Sequence, residues 1–140
     1  MAAAKAKRDS WLFVYGTLRP FVRIPMARWL AQVARHVGAA RTAGRLYDLG
    51  AYPGLVPARR RGEWVIGDLY HLRAPRGILQ TLDRYEAGHG RSRLRFVRVR
   101  CWVVLASGRQ RMAWTYLHRL PILRRPRVRS GDYEAHLARD

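Results

Sequence analysis

Acidic side chains are scarce in this sequence: nine Asp and Glu stand against 28 Lys and Arg in 140 residues, for a formal net charge of +19. An excess of this size excludes a neutral surface and draws anions and nucleic acid by long-range attraction. Lysine is also scarce, with only Lys5 and Lys7, so nearly all of the positive charge is arginine. No recognised DNA- or RNA-binding motif accompanies the charge. Cys101 is the single cysteine, which excludes an intramolecular disulfide and a cysteine-based zinc site and fits a reducing cytosol. The five histidines (36, 71, 89, 118 and 136) form no close ligand pair and no HExxH spacing, so no metal is expected. Long apolar runs are missing as well. The basic start, Met1 to Ser10, is followed by only five apolar residues, Trp11 to Tyr15, too few for a signal-peptide core or a membrane span, and a cytoplasmic location is expected.

What is present is enough for a core. The chain is 49% hydrophobic, with five Trp, seven Tyr and three Phe, and its length suits a single domain. The expected division is a basic extension over 1–10, the domain over 11–120 and a basic tail over 121–140, surface-bound or loose.

Trp11 to Tyr15 reads as a buried strand running into a tight loop at Gly16. Beyond Pro20, Met26, Leu30, Val33 and Val37 recur at helical spacing, with Gly38 placed to end the helix. Gly44–Leu49 and Glu63–Leu72 are strand-like, separated by Tyr52-Pro53-Gly54 and by the triplet Arg59–Arg61, which suits an exposed loop. Pro75 fits the first turn of a short helix with Ile78, Leu79 and Leu82 on its apolar face. In residues 94–105 the apolar phase slips between Phe96 and Val97, which predicts a bulge near Phe96. Ser107-Gly108 reads as a hairpin turn into Ala113–Leu117. Short strands outnumber helices without regular alternation, and the fold class that follows is α+β, a curled mixed sheet with flanking helices.

With so few acids, most are accounted for as partners of a nearby arginine. Glu86 is the exception. It is expected just past the end of the Pro75 helix, where the negative end of the helix dipole opposes a carboxylate charge, and partial burial by Leu82 and Tyr85 would raise its pKa further. A carboxylate tuned toward neutrality can take and return a proton. Read by itself, the residue fits an exposed loop acid as well. The loop Tyr15-Gly16-Thr17-Leu18-Arg19-Pro20 can offer backbone N–H groups to an anion, and Arg19 can pair with a substrate carboxylate; the same residues also suit a plain turn. Ser107 lacks a nucleophile-elbow setting, and Cys101 lies on the apolar phase of its strand, where an inert thiol is usual.

Taken in order, Phe13-Val14-Tyr15-Gly16-Thr17-Leu18-Arg19, Gly44-Arg45-Leu46-Tyr47-Asp48-Leu49-Gly50, Tyr52-Pro53-Gly54, Ile66-Gly67-Asp68-Leu69-Tyr70, Leu82-Asp83-Arg84-Tyr85-Glu86 and Ala113-Trp114-Thr115-Tyr116 resemble the gamma-glutamylcyclotransferase-like family, in particular its compact gamma-glutamylamine cyclotransferase-type members. The blocks span about residues 11–117, and Ser130-Gly131-Asp132-Tyr133 extends the likeness into the tail. The resemblance implies a mixed β-barrel flanked by helices. It also implies a cofactor-independent enzyme in which Glu86, as general acid and base, releases 5-oxoproline from a gamma-glutamyl amine or amide. Tyr15, Gly16, Thr17, Leu18, Arg19 and Tyr116 would then meet the substrate. Two positions depart from the family pattern: Ala87 follows the glutamate where Gly is usual, and Arg93 stands where many members have Tyr. The competing expectation is a noncatalytic module binding anions or, without sequence preference, nucleic acid through Arg59–Arg61, Arg98, Arg100 and Arg124–Arg129.

Overall fold

The computed structural model describes residues 10–87 and 95–139. Arg93 and the Leu94 end of the expected bulge lie outside the described residues. Seven strands form one sheet: β1 (Ser10–Val14), β2 (Arg35–Ala43), β3 (Arg45–Asp48), β4 (Pro53–Val56), β5 (Trp64–Leu72), β6 (Phe96–Leu105) and β7 (Gln110–His118). Three helices accompany them among the described residues, α1 (Pro25–Val33), α2 (Pro75–Ala87) and α3 (Tyr133–Ala138). The strand order is β1-β5-β2-β6-β7-β4-β3, and a further β1–β7 pairing closes five strands into a barrel from which β4 and β3 extend. Both pairings across that seam, β1–β7 at Leu12↔Trp114 and β4–β7 at Leu55↔Leu117, are parallel, and the others are antiparallel, so the barrel is mixed. The α+β class and the helix-flanked barrel are as the sequence implied.

Side chains alternate between two cores, as strand geometry requires. Phe13, Ala40, Val65, Leu69, Val103 and Ala113 fill the barrel. On the outside, Leu12, Val14, Tyr70 and Tyr116 pack beneath α1 and α2 through Leu30, Ile78, Leu79 and Leu82. Two expectations are corrected by this layering. The first helix ends at Val33, and Val37 and Gly38 belong to β2, at a register shift against β5. The helical spacing of Val37 was fortuitous, because the next strand begins only two residues after the helix. Nor does β6 carry a bulge: it pairs with β7 without interruption from Phe96↔His118 to Val104↔Gln110. Its apolar phase changes because Phe96 packs in the outer core while Cys101, Val103 and Leu105 pack inside the barrel.

Tyr52-Pro53-Gly54, read as a break, leads directly into β4. The Arg59–Arg61 triplet is an exposed turn, as expected, with Glu63 accepting from the N–H groups of Arg59 and Arg60. The segment after Pro121 is woven into the domain. Val128 and Tyr133 are buried in the barrel core, and Arg127 bridges to Tyr47. Gly131, at φ +71°, lies so close to Trp64 that a Cβ would stand 1.9 Å from its carbonyl oxygen, which leaves room for glycine alone. No helix among the described residues is long and apolar enough to cross a membrane.

At the seam, the Tyr15 hydroxyl donates to the Tyr116 carbonyl at 2.5 Å and accepts the Leu55 N–H at 3.2 Å. Replacing Tyr15 by Phe leaves both backbone groups buried and unpaired, at about 1–3 kcal/mol each. The expected loss is about 2–4 kcal/mol in urea-unfolding free energy; a change below about 0.5 kcal/mol would show that the seam does not need the hydroxyl.

Candidate active site

The cavity opens where β1 and β4 diverge along β7. It has a volume of about 360 Å³ and is walled by Phe13 to Leu18 on one side, Tyr52 and Pro53 on a second, and Tyr85, Glu86, Phe96 and Tyr116 on a third, with Arg95 at its edge. Of the residues singled out in the sequence, Tyr15, Gly16, Thr17, Leu18, Tyr116 and Glu86 are thus brought together. Arg19 is not. It is 5% exposed and turned away from the cavity, its Nε 2.8 Å from Asp68 and one terminal nitrogen 2.9 Å from Asp132. Two carboxylates hold this guanidinium, so it is committed to fixing the loop rather than to meeting a substrate carboxylate.

The loop is built by close approach. A Cβ at Gly16 would lie 2.6 Å from the Pro53 ring, so the absence of a side chain there lets the loop pack against β4. The turn closes with the Arg19 N–H donating to the Gly16 carbonyl at 3.1 Å. The N–H groups of Gly16, Thr17 and Leu18 make no backbone hydrogen bond among the described residues. Three consecutive unspent donors beside a cavity form a ready site for an anionic oxygen.

Glu86 occupies the last turn of α2, one step earlier than the expected position just past the helix. Its carboxyl is half-buried, has no cationic partner among the described residues, and is pushed up to about 7. Burial is the cause, so loss of hydration outweighs the helix-end effect invoked from sequence. Its charge in turn helps to push the hydroxyls of Tyr15, Tyr85 and Tyr116 upward, after the larger effect of burial on each, so these phenols stay protonated. The Thr17 side chain meets the Tyr85 hydroxyl, joining the loop to α2.

Tyr116 is held by its own hydroxyl, which donates to Asp83 at 2.6 Å. Asp83 also takes both arms of Arg98, at 2.9 and 3.2 Å, and so fastens α2 to β6 and β7. Tyr15 likewise spends its hydroxyl on backbone, so it faces the cavity through its ring. Tyr52, Pro53, Tyr85, Arg95 and Phe96 were not named as site residues from sequence. Tyr52 and Pro53 stood in one of the quoted blocks, whereas Arg95, which donates to the Tyr52 hydroxyl, was one arginine among many.

The pattern of the gamma-glutamyl cyclotransferase, AIG2-like family matches residues 12–135, nearly the whole chain. The chain belongs to this family. Among solved structures, YkqA from Bacillus subtilis superposes with a TM-score of 0.70 at 26% identity, over 91% of this chain and 40% of that one. The chain therefore spans two-fifths of that protein's length. An AIG2-like protein from Mus musculus gives a TM-score of 0.71 at 21% identity, over 90% and 88% of the two chains. A structure described as gamma-glutamyl cyclotransferase gives 0.59 at 14%, over 79% and 67%. These last two likenesses concern the fold. No curated protein matches the chain.

The raised pKa of Glu86 has a stability consequence whose sign is fixed. The folded value, about 7, lies above the ordinary glutamate value of 4.5, so its contribution to stability is fully present below about pH 4.5 and is lost as pH rises through 7. Glu86→Gln removes the buried charge. The variant should therefore be more stable than the parent at pH 8, by about 1–3 kcal/mol, and nearly equal to it at pH 4. Paired urea melts at the two pH values check this, and equal stabilities at pH 8 would mean that the carboxylate is well hydrated.

Proposed function

We propose that this protein is a cofactor-independent gamma-glutamyl cyclotransferase that releases 5-oxoproline from a gamma-glutamyl amine or amide, with Glu86 as general acid and base. The observation that carries the reading is the juxtaposition, across one cavity, of an unpaired carboxyl poised near pH 7 and a loop with three unspent N–H groups. Family membership adds the class of chemistry.

In this reading the substrate's alpha-carboxylate or its gamma-carbonyl oxygen lies against the Gly16–Leu18 donors. Ionised Glu86 takes a proton from the alpha-ammonium group, and the freed nitrogen attacks the gamma-carbonyl carbon to form the ring C–N bond. Negative charge collects on the carbonyl oxygen, where fixed N–H dipoles lower its energy. The protonated Glu86 carboxyl gives its proton to the departing nitrogen as the original C–N bond breaks. The second proton shed by the ring nitrogen follows the same route and leaves the released amine as ammonium. Nucleophile and carbonyl are parts of one molecule, so the protein's main tasks are to hold the folded-back conformer and to move the protons. Buried Tyr15 and Tyr116, both held by protein hydrogen bonds, give the cavity a rigid apolar wall against which that conformer can be selected.

The test is 5-oxoproline release from a panel of gamma-glutamyl compounds differing only in the leaving amine. For an active substrate, kcat/KM should fall about tenfold per pH unit below about 7 and level off above it, because the base must be ionised. Glu86→Gln should lose about 10²–10⁴-fold in kcat while remaining folded. Absence of release from every compound by the parent protein, or an acid limb near pH 4 that persists in Glu86→Gln, would overturn the assignment.

A further inference from the structure

The outer barrel face is covered by helices at only one end. On β6 it carries Phe96, Arg98, Arg100, Trp102 and Val104, opposite His118, Tyr116, Trp114, Met112 and Gln110 on β7. At the Phe96–Arg98 end, α2 lies across it through Asp83. At the hairpin end no described residue does: Trp102 is 59% exposed, Met112 opposite it is 36% exposed, and Arg100 is open to solvent. Next to β6, β2 presents exposed Arg41, paired in register with Val104.

We propose that this open hairpin end binds single-stranded nucleic acid, with Trp102 as a base-stacking platform and Arg41 and Arg100 as phosphate contacts. The charge is one-sided. Strands β2, β6 and β7 are neighbours and contain Arg35, Arg41, Arg98, Arg100 and Arg111 but no Asp or Glu. Arg98 is neutralised by Asp83, whereas Arg41 and Arg100 pair with no carboxylate among the described residues. Both free guanidiniums are pre-positioned by aromatic rings, Arg41 4.3 Å from the centre of Trp64 and Arg100 4.6 Å from that of Trp114. This limits the rotamer entropy that a phosphate contact must overcome. An open barrel face with an exposed indole between free guanidiniums has the parts of a single-strand platform, where stacking tolerates any base and arginines follow the backbone.

Other occupants fit less well. A second copy of a chain at +19 would be repelled. A bilayer is entered by an amphipathic helix, whereas Trp102 stands in the middle of a strand. Trp102 lies six positions along β6 from Phe96 at the cavity, about 20 Å, so the surface is independent of the cyclotransferase reading.

The experiment is fluorescence anisotropy of labelled oligothymidylate and oligouridylate of about twelve nucleotides over a salt series, with the whole protein. Binding that weakens with salt is expected, with Trp102→Ala about 10-fold or more weaker and Trp102→Phe close to the parent. Arg41→Ser with Arg100→Ser should flatten the log–log salt slope by about 1.4, two phosphates at about 0.7 each. Cyclotransferase turnover in Trp102→Ala should equal the parent's. The proposal is overturned if Trp102→Ala binds like the parent, if inorganic polyphosphate competes as well as the oligonucleotide, or if Trp102→Ala instead abolishes binding to phosphatidylserine vesicles or self-association.

Discussion

The Tyr15 hydroxyl sits where strand β7 changes neighbours, and the cavity exists because of that change. Strand β7 pairs with β1 at Trp114 and with β4 at Leu117, so β1 and β4 must part between these points. Parting strands leave backbone groups without partners, which a buried seam cannot tolerate. One phenol takes the place of the missing ladder, donating to Tyr116 and accepting from Leu55, while the Thr115 hydroxyl donates to the Phe13 carbonyl just below. The seam is thereby closed without the space between β1 and β4 being filled, and that gap becomes a cavity with a mostly apolar wall. Tyr15 lies at once in the barrel core and at the cavity surface, so the same side chain is answerable to both fold and site.

Charge is organised around a second constraint. Seven acids lie among the described residues, and five of them face basic side chains: Asp48 with His136, Glu63 with Arg127, Asp68 and Asp132 with Arg19, and Asp83 with Arg98. Glu134 is exposed in the first turn of α3, where a negative charge is favoured. Glu86 alone is both half-buried and unpaired. In a chain of +19 an unpaired buried carboxylate is conspicuous, because a cation is nearly always close enough to be recruited. Arg95, the nearest cation at the cavity edge, is directed at Tyr52, and burial sets the shift of Glu86.

Legibility in the sequence followed the reach of each interaction. Strand β1, the Pro75 helix and the Ser107-Gly108 hairpin are local patterns, and each could be read from a few neighbouring residues. Strand β2 could not: its outward Ala39 and Arg41 and inward Ala40 and Thr42 give no strong alternation, a register shift between His36 and Gly38 changes the phase before them, and Val37 happened to continue the helical spacing. The phase change in β6 was visible, but its cause was a helix packed from elsewhere, not a bulge. At the cavity, Glu86 and the Tyr15–Leu18 loop were legible as blocks in order, since each is a short run of neighbouring residues. Arg19 was misplaced because its two partners, Asp68 and Asp132, lie 49 and 113 residues away, beyond any local pattern.

Burying Arg19 with two carboxylates is not the cheapest way to stabilise a domain, since desolvation offsets much of the attraction. Its geometry explains what the arrangement accomplishes. Asp68 lies on β5, and Asp132 caps α3 by accepting the N–H groups of Glu134 and Ala135. A guanidinium between them ties the loop after β1 both to the barrel and to the C-terminal helix, from the side away from the cavity. The unspent N–H groups of Gly16 to Leu18 are therefore backed by a fixed frame instead of a free turn. Donors that are already fixed need little reorganisation to meet an acceptor. Glu86 obeys the same logic from the opposite wall: α2 is locked by Asp83 to Arg98 and Tyr116, which keeps a costly carboxyl where hydration is poor. Stability is given up at the two walls of the cavity, and the surrounding ion pairs hold those walls in place.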